Sequence, residues 1–221
     1  AKDRFYLIAL ELQSVITAIR RGKLKLSRAR FTFEANSLGW AQAWEIRQLI
    51  TALREEKVKT YAYLLSDDRI TMFMASACDY VACPESATFD LSPFTSESLF
   101  VQNLLNRLGV RPQFLSVGEF KSAAEIFTRT GMSKAARRQT EELIADIEKN
   151  FYDALGQKSP EFAAAGRRDL LSANEALQQK LIDTVSAYSE FKEFTEKEAK
   201  LKTADLFDAQ NIARRRMYPL F

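Results

Sequence analysis

The stretch "LGVRPQFLSVGEFKSAAEIFTRTGMSKAARRQ" (residues 108–139) places a single lysine, Lys121, between Gly118 and a run of small residues that begins at Ser122. Small side chains allow the backbone and a ligand to approach each other closely. The chain contains no histidine, so proton transfer near neutral pH would need another base. Lys121 is the candidate for that base. The alternative is that Lys121 is a solvated surface charge.

Upstream of this stretch, strand-like and helix-like patterns alternate along the chain. Residues 28–35 alternate as a strand does, and residues 40–56 carry the apolar stripe of a helix. Strands are predicted at 5–12, 28–35, 58–65, 80–83 and 112–117, and helices at 14–21, 40–56, 70–77 and 98–108. Such alternation predicts parallel strands joined by right-handed crossovers, and therefore an α/β fold.

Downstream of the stretch, the pattern is mainly helical. Ser133 is a predicted N-cap for a long helix to about Leu155, in which Leu143, Ile147 and Phe151 recur every four residues. Further helices are predicted at 172–180 and 188–199. No linker or repeat is visible, so we predict one α/β domain over 1–221 with a helical C-terminal third. Residues from about 158 onwards are expected either to belong to this domain or to form a helical appendage.

The composition describes a globular protein with a substantial core. Of its 221 residues, 47% are hydrophobic and 28% are charged, and the net charge is only +3, which argues against a dedicated nucleic-acid-binding protein. The basic charge is concentrated at 20–30 and 214–216. Solvated loops and helix ends are the simpler interpretation of these clusters. The alternative is contact with an anionic membrane surface or an acidic partner.

The two cysteines, Cys78 and Cys83, lie among apolar residues and are predicted to be buried free thiols. Without histidine they form no credible zinc site, and nothing activates either thiol as a nucleophile. The longest apolar run, 5–10, is too short to span a bilayer, and no signal peptide pattern is visible. The chain opens on a strand-like run, so it is expected to be a piece of something longer.

Residues 108–139 resemble the signal peptide peptidase SppA family, whose members carry a stretch like GxYKSAxEPFTRxxMSxxxRE. Residues 46–64, 74–87 and 170–185 add weaker similarity, so the resemblance runs from about 28 to 195. It implies the ClpP/crotonase fold, a spiral of ββα units, and this agrees with the alternation of elements. In longer family members two such repeats lie in tandem, and this chain is most similar to the first. The matching positions are Gly118, Lys121, Ser122, Ala123, Glu125, Phe127, Thr128, Arg129, Met132, Ser133 and Arg137.

For Lys121 the resemblance implies the role of general base in a Ser/Lys hydrolase. A lysine amine has a pKa of about 10.4 in water and must be shielded from solvent to act as a base. Burial in an apolar site can bring that pKa to about 7–8. The resemblance also implies that Gly39, Gly118 and Ser122 line the oxyanion hole or the substrate groove. No cofactor or metal is implied.

Two family features are altered in this chain. The position of the nucleophilic serine falls on Arg69, or on Asp68 if the alignment slips by one residue. Ser66 lies too early, and Thr71 stands where a glycine belongs. The family's SPGG oxyanion turn reads NSLG here, with Gly39 present but leucine in place of the other glycine. An isolated chain is therefore not expected to hydrolyse peptides.

Three functional interpretations follow. In the first, the chain is a peptidase repeat that supplies Lys121 to a composite Ser/Lys site, and a second repeat or an identical chain supplies the serine. In the second, it is an inactive pseudoprotease that acts as an oligomeric scaffold, with Arg69 plugging the site and Asp67 or Asp68 pairing with Lys121. In the third, it is a binding module for a membrane surface or another protein.

The resemblance also suggests partners and a location. We expect oligomers, a peptide substrate if the site is active, contact with a membrane surface, and no nucleic acid. The family implies a membrane-associated protein whose catalytic side lies outside the cytoplasm, although no anchor is visible in these residues.

Overall fold

The computed structural model describes residues 2–34, 38–65, 68–114, 122–165 and 170–197. The chain divides into two compact units. The first combines Ala1–Ser92 with Tyr152–Phe221, and the second is Pro93–Phe151. The described residues from 152 onwards thus group with the amino-terminal part of the chain rather than with residues 93–151.

A parallel sheet forms the centre of the first unit, in the order β1-β2-β3-β6. A separate antiparallel pair joins β4 to β5. The predicted α/β class with a parallel sheet is therefore confirmed. The strands are β1 (Arg28–Phe33), β2 (Lys59–Leu64), β3 (Tyr80–Cys83), β4 (Thr88–Asp90), β5 (Leu170–Ser172) and β6 (Thr184–Val185).

Helices account for most of the remaining described residues, and those at 40–56, 70–77, 172–180 and 188–199 were predicted close to their observed positions. Ser133 caps the longest helix as predicted, because its Oγ accepts a hydrogen bond from the Ala136 amide at 3.1 Å. The helices are α1 (Lys2–Arg20), α2 (Trp40–Glu55), α3 (Arg69–Ala75), α4 (Gln102–Arg107), α5 (Glu125–Thr128), α6 (Lys134–Lys158), α7 (Pro160–Ala165), α8 (Ala173–Gln178) and α9 (Tyr188–Lys197).

The strand predicted at 5–12 is wrong, because these residues belong to α1. A strand would place Leu10 and Leu12 on one face, but Leu10 is 61% exposed and Leu12 only 4%. The buried positions Ala9, Leu12 and Ile16 instead follow helical spacing. The helix ends at Arg20, one residue before its predicted end, and Gly22 follows with a φ of 66°, the left-handed conformation that glycine adopts at low cost.

Other differences concern short or exposed segments. The strand predicted at 112–117 is not formed at 112–114, and 115–117 lie outside the described residues. Strands β4, β5 and β6 were missed because two or three residues are too few to show a period. Leu143 is 61% exposed, so the predicted apolar stripe of α6 is buried only in its later part, at Phe151 and Leu155.

The core of the first unit lies on both faces of the sheet. On one face, α9 packs Phe191 against Tyr61, Tyr63 and Ala82. Helix α2 also contacts β2, and it buries Ile46, Ile50 and Leu53 in the spacing of an amphipathic helix. The sheet therefore holds α2 and α3 in fixed positions after the carboxyl ends of β1 and β2, where the sequence predicts the site.

Candidate functional site

The predicted nucleophile position lies at the start of α3, just after β2 ends at Leu64. Asp68 is the N-cap of this helix, and its Oδ1 accepts a hydrogen bond from the Thr71 amide at 2.9 Å. The Thr71 hydroxyl donates to the Asp68 carbonyl at 2.8 Å. The Asp68 carboxylate and the Thr71 hydroxyl therefore both stabilise the helix start.

Arg69, the first residue of α3, is bound to the end of β4 by three hydrogen bonds. Its Nε donates to the Asp90 carbonyl at 3.2 Å, and its Nη2 donates to Asp90 Oδ2 and to Ser92 Oγ, each at 2.9 Å. Only 19% of the Arg69 side chain is exposed. The guanidinium is thus a fixed cation at the predicted nucleophile position.

The partner carboxylate, Asp90, is held in its charged form. Hydrogen bonds from the Ser92 hydroxyl and the Ser92 amide lower the pKa of Asp90, and the Arg69 guanidinium lowers it further. The Ser92 hydroxyl donates a hydrogen bond to Asp90 and accepts one from Arg69, so it acts as donor and as acceptor within these three residues. We call Arg69, Asp90 and Ser92 the arginine clamp.

Gly39, the predicted oxyanion residue, is the N-cap of α2 and is exposed. Its N–H donates to Gln42 Oε1 at 3.0 Å, so the donor expected to face an oxyanion is already bonded. Its φ of −85° is open to any residue, and no atom lies within 4 Å of where a Cβ would stand. Glycine is therefore not required here by backbone geometry. Residues 35–37 of the turn lie outside the described residues.

Lys121 and Gly118 also lie outside the described residues, as do Ser66 and Asp67. Ser122 is half-buried, and its carbonyl accepts a hydrogen bond from the Glu125 amide at 2.9 Å. Of the three predicted site residues Gly118, Lys121 and Ser122, the structure therefore describes only Ser122.

The residues that follow Lys121 in the family-like stretch bond to one another and to α4 within the second unit. The Glu125 carboxylate accepts a hydrogen bond from the Ser133 amide at 2.8 Å, and hydrogen bonds from Ser133 lower the pKa of Glu125. The Gln102 side chain donates to the Thr128 carbonyl at 2.6 Å, and the Thr128 hydroxyl donates to the Ala124 carbonyl at 3.0 Å. These bonds join α4 to α5 and α5 to the start of α6.

Cys78 and Cys83 are buried free cysteines, as predicted. Burial raises the pKa of each thiol to about 12, so neither forms a thiolate near neutral pH. Within the part of the chain that the structure describes, no group of three or more histidine, cysteine, aspartate or glutamate side chains could hold a metal ion. No helix there is both long and apolar enough to cross a membrane.

The sequence analysis missed Gln42, Asp90 and Ser92. Gln42 was open to prediction, because it stands three residues after the N-cap Gly39, where a capping box places Gln or Glu. Asp90 and Ser92 were not, because their approach to Arg69 depends on β4, a three-residue strand. No local pattern in the sequence marks that strand.

Comparison with known proteins identifies the family. The model of Peptidase family S49 matches residues 52–202. The chain belongs to this family. The resemblance to SppA peptidases is thereby confirmed, and with it the ClpP/crotonase-like α/β fold class, which agrees with the parallel sheet.

Two curated relatives carry matching names. Protease 4 of Salmonella typhi is 24% identical over 191 residues, which is 80% of this chain and 31% of that protein. The chloroplastic serine protease SPPA of Arabidopsis thaliana is 26% identical over 119 residues, which is 54% of this chain and 18% of that protein. The chain thus spans less than a third of the length of these relatives.

Solved structures give weaker likenesses. A peptidase from Plasmodium falciparum overlaps 80% of this chain and 88% of its own, with a TM-score of 0.45 and 12% identity. An enoyl-CoA hydratase from Shewanella pealeana overlaps 93% of this chain and 68% of its own, with a TM-score of 0.39 and 14% identity. Both TM-scores are low, so the fold assignment rests on the family match and on the sheet.

Proposed function

We propose that this chain is the first, serine-lacking repeat of an S49 endopeptidase and supplies Lys121 as general base to a composite Ser/Lys site. The serine and the oxyanion hole would come from another repeat or another chain. The arginine clamp supports the serine-lacking part of this proposal, because a fixed cation stands where this chain would otherwise present its own nucleophile. The block around Lys121 supports it as well, since its residues match the family pattern around the base lysine.

The substrate and the setting are carried over from the family. Cleaved signal peptides, or other short hydrophobic segments left in a membrane, fit an apolar groove of which this chain would form one wall. The protein would be oligomeric and membrane-associated, with its catalytic side outside the cytoplasm. Salmonella Protease 4 is about three times longer than its matched part, so a relative of this chain has room for a second repeat.

Replacement of Lys121 in the complete protein tests the proposal. Lys121→Ala removes the base, and Lys121→Arg keeps the positive charge but cannot be deprotonated at neutral pH. We expect both variants to lose at least about a hundredfold in the rate of peptide cleavage, measured with a fluorogenic hydrophobic peptide, and to assemble as the wild type does. Lys134→Ala, which removes an exposed lysine at the start of α6, is the matched control and should keep most of the activity. Unchanged turnover in the Lys121 variants would exclude the base role.

The second candidate is a pseudoprotease that acts as an oligomeric scaffold, and the bond between Gly39 and Gln42 favours it. An oxyanion donor that is already bonded within its own helix cap gains nothing from a tetrahedral intermediate. In this interpretation Lys121 is structural and is paired with a carboxylate such as Asp67 or Asp68.

An active-site serine probe separates the two candidates. A fluorophosphonate that labels a serine in the complete assembly, with labelling lost in Lys121→Ala, supports the composite peptidase. Absence of labelling on this chain and on every partner supports the pseudoprotease. Labelling of a serine within residues 1–221 would contradict both, because both require that no serine stands at the nucleophile position of this repeat.

A further inference from the structure

Strand β1 is an open edge of the parallel sheet among the described residues. It pairs with β2 over its full length, from Arg28 opposite Lys59 to Phe33 opposite Leu64. The Lys59 amide donates to the Ser27 carbonyl, and the Leu65 amide donates to the Phe33 carbonyl. In a parallel ladder this register turns the backbone groups of odd-numbered residues of β1 towards β2 and those of even-numbered residues outwards.

The outward groups belong to Arg28, Arg30 and Thr32. Within the described part of the chain, no strand pairs with β1 on that side, and the N–H and C=O groups of Arg30 and Thr32 have no backbone partner there. The strand is six residues long and contains no proline. Such an edge is a template for one more strand.

The segment that leads into β1 and forms it carries charge of one sign. Residues 21–33 contain five basic residues and no acidic residue. Arg21 and Lys25 are exposed at the approach to the strand. These two cations, which we call the basic row, lie seven and three residues before the first residue of β1, so a strand that extends along β1 and past Arg28 would run towards them.

Charges on an edge strand can also serve to repel other strands. Arg30 does not act in that way here, because its guanidinium is turned onto the face of the sheet. Its Nη1 donates to Thr195 Oγ1 at 3.1 Å and to Glu196 Oε1 at 3.4 Å, both on α9. Thr32 is a small neighbour, so the outer edge at 30–32 is accessible to another backbone.

We propose that β1 is a docking site for an acidic, extended segment of a partner polypeptide, which adds to the sheet as a fifth strand. The backbone of the partner would bond to Arg30 and Thr32, and its carboxylates would face the basic row. A segment in which acidic and β-branched residues alternate meets both requirements. Strand β1 lies before residues 52–202, the part matched by the model of the peptidase family.

Two other occupants fit the observations less well. A second copy of this chain, paired edge to edge through β1, would bring two basic rows together, and like charges in such positions repel. An anionic membrane surface would satisfy the cations but leave the outward N–H and C=O groups of Arg30 and Thr32 without strand partners. The combination of an open ladder and a basic row is satisfied in full only by an acidic strand.

Titration of the full chain with fluorescent peptides tests this proposal. The probe is a ten-residue peptide of alternating Glu and Val, and the comparison peptide alternates Lys and Val. A third peptide has the acidic sequence with N-methyl groups on alternate amides, which blocks the backbone bonds and keeps the charge. We expect the acidic peptide to bind at least about tenfold more tightly than either of the others, measured by fluorescence anisotropy.

Variants of the edge locate the binding. Thr32→Pro removes an outward N–H without touching the bonds to β2 and should weaken acidic-peptide binding about tenfold, whereas Thr32→Val keeps the N–H and should bind as the wild type does. Arg21→Glu with Lys25→Glu should also weaken binding, and the same reversal at Lys134 and Arg137 on α6 should not. Circular dichroism checks that each variant is folded. If Thr32→Pro does not fold, the charge variants still decide the test.

Four results would overturn the proposal. The first is that the acidic peptide does not bind, and the second is that Thr32→Pro and Thr32→Val, both folded, change its binding equally. The third is that the protein binds only to vesicles of phosphatidylcholine with phosphatidylserine. The fourth is a concentration-dependent dimer that Thr32→Pro abolishes, seen by analytical ultracentrifugation. The third result would assign the edge to a membrane surface, and the fourth to a second copy of this chain.

Discussion

Arg47 on α2 shows how a single buried cation joins three elements of the first unit. Its Nη1 donates to the Phe73 carbonyl at 2.9 Å and to Ser76 Oγ at 2.6 Å, and its Nη2 donates to Gln157 Oε1 at 3.2 Å. The guanidinium carbon also lies 5.1 Å from the centre of the Phe73 ring. Burial lowers the pKa of Arg47, but an arginine remains protonated, so every one of these contacts is made by a charged group.

We expect Arg47→Ala to lower the free energy of unfolding by about 3 kcal/mol, because it removes a buried side chain that packs on Phe73 and leaves the buried Ser76 hydroxyl without the donor that it accepts from. The measurement is urea unfolding followed by circular dichroism. Arg137→Ala is the control, since the Arg137 side chain is exposed and pairs with Glu141 at 4.0 Å. That change should cost less than about 0.5 kcal/mol. Equal costs would show that the Arg47 contacts contribute nothing beyond a surface pair.

The Cys78 thiol should make the stability of the protein fall at alkaline pH. Burial raises the pKa of Cys78 to about 12 in the folded state, against about 8.5 in an unfolded chain. Above pH 8.5 the unfolded state therefore loses a proton that the folded state keeps, and the free energy of unfolding decreases as pH rises towards 12. The contribution approaches about 1.4 kcal/mol per pH unit for this thiol.

Urea unfolding between pH 8 and pH 10.5 checks this dependence. We expect the slope against pH to be shallower in Cys78→Ala than in the wild type, whatever the change in stability at pH 8. Reaction with a thiol reagent adds a second readout, because the folded protein should react slowly and the unfolded protein fast. Identical slopes in the two proteins would show that this thiol does not titrate between the two states.

At the residue scale, the sequence predicted the environment of single residues better than the residues that they contact. It predicted the cysteines as buried thiols, because an apolar neighbourhood is a local signal. The assignment of Arg69 as a substituted nucleophile position stays a prediction. It did not predict what holds Arg69, since Asp90 and Ser92 are brought near by folding. The role of Lys121 remains a prediction, because this residue lies outside the described part of the chain.

At the scale of elements, Lys158 fixes the end of α6 to the sheet. Its Nζ donates to Asp183 Oδ2 at 2.7 Å and to the Asp79 carbonyl at 3.2 Å. Asp183 Oδ2 in turn accepts the Val81 amide at 2.7 Å, and the Asp183 amide donates to the Val81 carbonyl. One lysine thus links α6 to β3 and to the turn before β6.

Lys158→Met should lower the free energy of unfolding by about 2–3 kcal/mol, because it keeps the packing of the side chain but leaves Asp183 without its counter-ion. The Lys158 side chain is only 9% exposed, so solvent screens the pair little. Lys180→Met is the matched control: Lys180 also pairs with a carboxylate, Glu161, but is 68% exposed. Thermal unfolding should show the control close to the wild type, and a similar loss in both variants would contradict the argument.

Elements were predicted well where their length allowed a period to appear. Helix α2 and strand β2 run over 16 and 6 residues and were placed within one or two residues of their observed ends. The helix predicted at 14–21 is the second half of α1. Its first half was mistaken for a strand at 5–12 because residues 5–8 are aromatic and aliphatic, and tertiary burial at Ala9, Leu12 and Ile16 outweighs that propensity. The edge β6, with two residues, carries no periodic signal at all.

At the scale of the whole molecule, the two units differ in how much apolar surface they bury. The first unit contains a continuous set of buried side chains around Tyr61, Tyr63 and Phe191. Among the described residues of the second unit, Pro93–Phe151, the buried hydrophobic residues are Ala136 and Phe151. Large apolar side chains are exposed there instead, at Leu99, Leu104, Leu108, Val110, Phe114, Ile126, Phe127 and Leu143.

This difference predicts unequal local stability, which amide hydrogen exchange measures. Local opening costs less free energy where few apolar contacts are broken, so α4 and the first half of α6 should exchange at least about tenfold faster than β2 and α2. The experiment follows deuterium uptake of the purified chain by mass spectrometry, with β2 and α2 as internal controls. If a companion repeat covers the exposed side chains in the complete protein, protection of α4 should rise there while protection of β2 stays the same. Equal protection of α4 and β2 in the isolated chain would contradict the argument, because it would require a core in the second unit that its buried residues do not supply.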